Sequence, residues 1–144
     1  MSTRSTTHFV EDGKTHAIVY RHADGYPEGH GCELSEFFDA VEEQTDDHRY
    51  NVPTYLAAKL VVWLADRFAH KYVGDGEYEK AEPLDFLSVG ICLTDPGDIE
   101  YLYEIDCSAL GPDGRPAVRC YTATGGWDSP TRKGSEVPIP ARTA

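Results

Sequence analysis

No stretch of this chain is apolar enough to cross a bilayer as a helix: the longest apolar run, Leu60–Leu64, falls far short of the ~20 residues such a span needs. Cys32, Cys92, Cys107 and Cys120 lie far apart and form no C-x-x-C pair. With no recognisable secretory leader, the expectation is reduced thiols in a cytoplasm, not a zinc ribbon or a disulfide framework. The phosphate-binding pattern G-x-x-x-x-G-K-S/T is missing, and neither Ser35 nor Ser88 sits in a G-x-S-x-G elbow. No cysteine has a base partner that the sequence reveals. Nothing here is a catalytic signature, so a non-enzymatic protein without a cofactor is expected.

Bases are scarce. The 13 Lys and Arg face 25 Asp and Glu, for a formal net charge of -12, which repels free nucleic acid and anionic membranes alike. What remains is the composition of a folded globule: 40% hydrophobic residues, among them 2 Trp, 9 Tyr and 5 Phe. A length of 144 residues suits one domain.

Two β-prone runs, Ser2–Val10 and Thr15–Tyr20, flank Asp12-Gly13, a strong hairpin signal. Leu34, Phe37, Phe38 and Val41 then recur at helical spacing. A second helix starts at Pro53 and carries Leu56, Leu60, Trp63, Leu64 and Phe68 on one side of the run Tyr55–Tyr72. Residues 74–82 read as a polar loop. Leu84–Leu93 and Ile99–Cys107 flank Asp95-Pro96-Gly97-Asp98, which suits a type II turn and hence a hairpin, and Pro116–Thr124 adds a last strand. The expected fold is α+β, a mostly antiparallel sheet in the order ββααβββ with two helices packed on one face, over residues 1–124. Residues 125–144, rich in Gly, Pro, Ser, Thr and Arg, read as an extended tail.

Two segments are candidate sites. Tyr20-Arg21-His22-Ala23-Asp24-Gly25-Tyr26-Pro27-Glu28-Gly29-His30-Gly31 packs glycines, a proline and ionisable side chains just ahead of a helix. As a ligand site, its free amides near a helix start, with Arg4, Arg21, His22, Asp24, Gly25, Tyr26, Gly29 and His30, would take a phosphate-bearing nucleotide, although Asp24, Glu28 and Glu33 repel an anion. His22, Asp24, Glu28, His30 and Cys32 are metal-ligand types, but their spacing matches no established pattern and no metal is expected. The plainer interpretation is an obligatory turn, with Tyr26 on the core and the histidines satisfying local backbone.

The second segment is the acidic helix. Glu33, Glu36, Asp39, Glu42, Glu43, Asp46 and Asp47 share it and its exit with no Lys or Arg. Acids three to four residues apart lie roughly 5–6 Å apart on one side of a helix, close to the spacing of phosphates along a nucleic-acid strand. Glu36, Asp39, Glu43 and Asp47 are therefore the expected contacts with a basic partner, against the blander alternative of a solvated face.

The opening Met1-Ser2-Thr3-Arg4-Ser5, together with the Tyr20–Gly31 block, resembles a family of small phage and prophage proteins of uncharacterised activity. These typically begin with a Ser-Thr-Arg-Ser strand and carry a His-Trp-Asp-Gly-Tyr-Pro block before a helix; Ala23 stands here where they have Trp. The resemblance covers roughly the first 40 residues and implies a viral or mobile-element origin. The function expected from it is a phage-type accessory protein in the host cytoplasm that binds a host protein. A nucleic-acid-handling defence complex, inhibited in the anti-CRISPR or anti-restriction manner, is the expected partner. The alternatives are a module that sequesters or hydrolyses a nucleotide at residues 20–31, and a structural or virion-associated protein that forms a homo-oligomer.

Overall fold

The computed structural model describes residues 3–85, 88–124 and 132–140. Its centre is a six-stranded mixed sheet with the spatial order β5-β2-β1-β6-β7-β8. The strands are β1 (Ser5–Glu11), β2 (Lys14–Arg21), β5 (Val89–Cys92), β6 (Tyr101–Leu110), β7 (Pro116–Ala123) and β8 (Lys133–Val137). Two helices, α1 (Cys32–Gln44) and α2 (Pro53–Phe68), lie on one face, and β3 (His70–Gly74) pairs with β4 (Glu77–Lys80) in a separate hairpin.

The first hairpin closes on Asp12 and Gly13 with φ of 53° and 77°. Left-handed backbone at both central residues matches the right-handed twist of the flanking strands, which is why Asp-Gly is favoured there. The α1 stripe of Leu34, Phe37, Phe38 and Val41 and the α2 stripe of Leu56, Leu60 and Leu64 meet Phe9, Val19, Tyr103, Ile105 and Cys120 from the sheet. Burying each large side chain of this set contributes about 1.5–3 kcal/mol.

The element order differs from ββααβββ in three places. The strand before Asp95 and the strand after it do not form a hairpin: β5 pairs with β2, and β6 pairs in parallel with β1. Gly97 is absent from the glycines with positive φ, so the conformation a type II turn requires at its third position is not adopted. The loop instead crosses the sheet and is tied down by Asp95, which accepts hydrogen bonds from Thr6 Oγ1 at 2.6 Å and His8 Nε2 at 2.8 Å. Secondly, α2 stops at Phe68, and the supposed loop over residues 74–82 holds half of the β3–β4 hairpin, closed by Asp75 and Gly76 with φ of 52° and 74°. Thirdly, the supposed tail supplies the edge strand β8, and Ile139 packs on the core. Residues 125–131 and 141–144 of that tail lie outside the described residues, as do residues 86 and 87 of the strand expected before Asp95.

Burial pushes the Asp95 carboxyl up, but the hydrogen bonds from His8 and Thr6 outweigh it and hold it below the ordinary carboxylate range. A carboxylate with a depressed native pKa contributes stability at neutral pH that is lost as pH falls through that value. Asp95→Ala should destabilise the protein by about 1–3 kcal/mol, because it also strips partners from the buried Thr6 and the partly buried His8. Urea unfolding at pH 7 measures this, and an unchanged midpoint would show that the crossover needs no tether.

Candidate functional site

The Tyr20–Gly31 segment leaves β2, turns through Asp24 (φ 58°) and enters a single π-helical turn, Pro27–Gly31, that runs directly into α1. Several of its amides are already used. Gly25 N–H donates to Thr3 O, Gly29 N–H to Tyr26 O and His30 N–H to Asp24 O. Two of its glycines are there for close approach: a Cβ on Gly25 would stand 2.7 Å from Ser5 Cβ, and one on Gly29 would stand 2.6 Å from Asp24 O.

Beneath the turn lies a buried polar cluster. Arg21, 4% exposed, donates from NH1 to Glu33 Oε2 and to His30 Nδ1 at 3.1 Å, and its guanidinium lies 4.6 Å from the centre of the Phe68 ring. Arginine has no acceptor, so His30 Nδ1 must be the unprotonated nitrogen. The remaining His30 Nε2–H then donates to Thr7 Oγ1 at 2.8 Å. His30, 1% exposed, is thus held neutral; burial, then the neighbouring Arg21 charge, push its pKa well below the usual value. Its ring meets Tyr103 edge-on at 4.7 Å, and Tyr103 Oη donates to Gly25 O at 2.7 Å.

Of the other residues of the expected ligand site, Asp24 reaches Arg21 at 4.0 Å and Gly25 O meets Tyr103, whereas Arg4, His22 and Tyr26 are not brought to this cluster. By strand alternation Arg21 points to the helix face of the sheet and Arg4 to the opposite face, where it pairs with Asp98 at 3.3 Å. His22 is exposed and bonds Tyr20 Oη at 3.0 Å. Tyr26 does not pack on the core; it is 39% exposed, with its hydroxyl 3.4 Å from Asp24 Oδ1. Among the described residues no group of three or more His, Cys, Asp or Glu could hold a metal.

The acidic helix is not bare. Glu33 meets Arg21, Glu36 meets Arg67 at 3.0 Å, and Asp47 meets Arg49 at 3.6 Å. Arg115, reaching from the start of β7, binds Asp39 at 2.6 Å and both oxygens of Glu42 at 2.8 and 2.9 Å. Those bonds, with one from Tyr50 Oη, lower Glu42 to about 2. Glu43 and Asp46 are exposed and make no ion pair among the described residues.

Three of the four expected partner contacts converge. Glu36, Asp39 and Glu43 line one depression of ≈ 540 Å³ between α1 and α2, shared with Ala40, Trp63, Asp66 and the basic Arg67, His70 and Lys80, and Lys80 pairs with Asp66 at 3.9 Å. It continues into a more apolar ≈ 440 Å³ groove over Ala40, Val41, Val62 and Trp63, edged by Lys59 and Asp66. Asp47 lines neither. Trp63, on the apolar stripe of α2, packs on Phe37 and also borders the groove beside Asp66, a position that core periodicity alone does not reveal.

Comparison of the chain with protein-family models, with curated proteins and with solved structures finds no match to any of them. Among the described residues no helix is long and apolar enough to cross a membrane.

The unfolded chain protonates this histidine below pH 6.5, whereas native His30 stays neutral, so native stability is full above 6.5 and falls as pH drops below it. One proton of difference gives a slope of about 1.4 kcal/mol per pH unit. His30→Gln keeps an acceptor and a donor but cannot titrate, so its unfolding free energy should fall less steeply between pH 7.5 and 5.5, as read by urea denaturation. Equal slopes would mean that His30 protonates in the native state.

Proposed function

We propose that this chain is a non-enzymatic, phage-type accessory protein that binds a basic host protein, of the kind that handles nucleic acid in host defence, through the groove between α1 and α2. The observation that carries this reading is the convergence of Glu36, Asp39, Glu43 and Asp66 on the rim of one groove bordered by Trp63. Acidic rim and aromatic border together suit lysine and arginine side chains, whose charged heads pair with carboxylates while their stems or guanidinium planes lie on the indole. Arg67 already stacks there, 5.4 Å from the Trp63 ring centre.

The pairing of α1 acids with arginines narrows the docking surface without abolishing it. Arg67 and Arg115 fix Glu36 and Asp39 in place, so these two act as a preorganised rim. Glu43 and Asp46 supply the uncompensated charge that steers a basic partner. The nucleotide reading has less support. The amides of Gly25, Gly29 and His30 already donate to backbone carbonyls, and its two arginines point to opposite faces of the sheet.

Glu43→Lys combined with Asp66→Lys changes two exposed positions and leaves the core untouched. Immobilised wild-type protein should retain a basic partner from host lysate, more strongly at low salt, and the double variant should retain it at least about tenfold less. Identical capture and identical salt dependence by both proteins would defeat the groove as the docking surface.

A further inference from the structure

Strand β5 is an edge of the sheet, and beyond being only four residues long it lacks what usually guards an edge. From residue 86 to residue 94 the sequence carries no charged side chain, in a chain that is 26% Asp, Glu, Lys and Arg. Edges are ordinarily blunted by inward charges, proline or bulges, because their unpaired N–H and C=O groups template a further strand. The opposite edge follows that rule: β8 carries Lys133 and Glu136 and is interrupted by a register shift against β7. On β5, Ile91 is 76% exposed, and just beyond it Leu93 is 97% exposed.

The backbone of β5 has a definite polarity. Ser88 O accepts from His22 N–H at 2.9 Å, so residue 88 turns its polar groups toward β2, and the register Arg21↔Val89, Val19↔Ile91 carries that orientation to Gly90 and Cys92. Val89 and Ile91 therefore turn their N–H and C=O groups outward, and among the described residues no strand lies on that side.

We propose that this edge pairs with the same edge of a second copy, antiparallel and centred on Ile91, so that one sheet runs through two chains. In that register Ile91 faces Ile91 as a hydrogen-bonded pair and Val89 faces position 93, which joins outward backbone groups to outward backbone groups. The exposed side chains of Ile91 then meet across the twofold axis as an apolar cross-strand pair, with the exposed Leu93 beside them. Charge favours this occupant. Two chains of -12 repel each other, and β5 with the adjoining Leu93 is a stretch without a charged side chain along which they can approach. A basic partner gains nothing from an uncharged strand, so the α1–α2 groove and the β5 edge call for different occupants.

The opposite salt dependence of the two surfaces is the test. Sedimentation equilibrium of the whole chain should show a monomer–dimer equilibrium that tightens as ionic strength rises from about 0.05 to about 0.5 M, because screening removes the net repulsion. Ile91→Lys should raise the dimer dissociation constant at least about tenfold. Ile91→Pro, which removes an outward N–H without touching a bond to β2, should do the same, with circular dichroism confirming that both variants fold. In a Cys92→Ser background, Ile91→Cys should form a disulfide-linked dimer, since hydrogen-bonded antiparallel pairs hold their Cα atoms ~5.5 Å apart. Leu110→Cys, exposed on β6, should not. A monomer at every concentration and salt, which is also the result if this edge serves a strand of another protein, overturns the proposal; so does a dimer that survives Ile91→Lys.

Discussion

The buried guanidinium of Arg21 is the constraint around which the helix face of this molecule is arranged. A charge taken out of water costs several kcal/mol unless it is paired and its donors are satisfied. Here the carboxylate comes from Glu33 at the start of α1, the neutral acceptor from His30 in the π-helical turn and the aromatic face from Phe68 at the end of α2. Thr7 of β1 then closes the far side of His30. One side chain of β2 thereby fixes where a strand, a turn and both helices sit relative to one another, and removing any single partner would leave an unsatisfied polar group in the interior. The tight turn has its own cost, since the buried Ser5 hydroxyl, pressed against Gly25, finds no hydrogen-bond partner among the described residues.

That arrangement explains which parts of the fold were legible in the sequence. Local signals spoke clearly: the Asp12-Gly13 hairpin and the stripes of α1 and α2 depend on residues within one or two turns of one another. An equally local signal, Asp75-Gly76, was passed over because β4 is wholly exposed and shows no alternation of apolar and polar residues to betray a strand. The failure at Asp95-Pro96-Gly97-Asp98 had a different cause. Turn-forming residues say that the chain reverses or bends, but whether the flanking strands pair with each other is decided by their other neighbours. Here β1 and β2 supply those neighbours, with Asp95 bonded to Thr6 and His8 nearly ninety residues away.

The surroundings of the two candidate segments turn on the same distinction. Glycines in the Tyr20–Gly31 segment announce unusual backbone, yet an anion cradle and a tightly packed turn need the same residues. Only the positions of Thr3, Ser5 and Tyr103 decide between them. Likewise, the seven acids of residues 33–47 look uncompensated because every arginine that meets them comes from outside the stretch: Arg21, Arg49, Arg67 and Arg115. Helical spacing did place Glu36, Asp39 and Glu43 on one side of α1, and that side turned out to border α2.

Seven acids meeting four arginines still leave three negative charges on this part of the surface, and their arrangement matters more than their sum. Each arginine is held at 4 Å or less from its carboxylate, so the pair presents a dipole whose field decays quickly beyond a Debye length of about 8–10 Å. The exposed Glu43 and Asp46, which make no ion pair among the described residues, lie at the C-terminal end of α1 and just beyond it, where the helix dipole is itself negative. An acid in this position disfavours the helix and is not explained by helix stability. The sequence therefore concentrates uncompensated charge at the one end of α1 where local energetics oppose it, next to a groove whose border is aromatic, and an external cation is the component that would relieve the conflict.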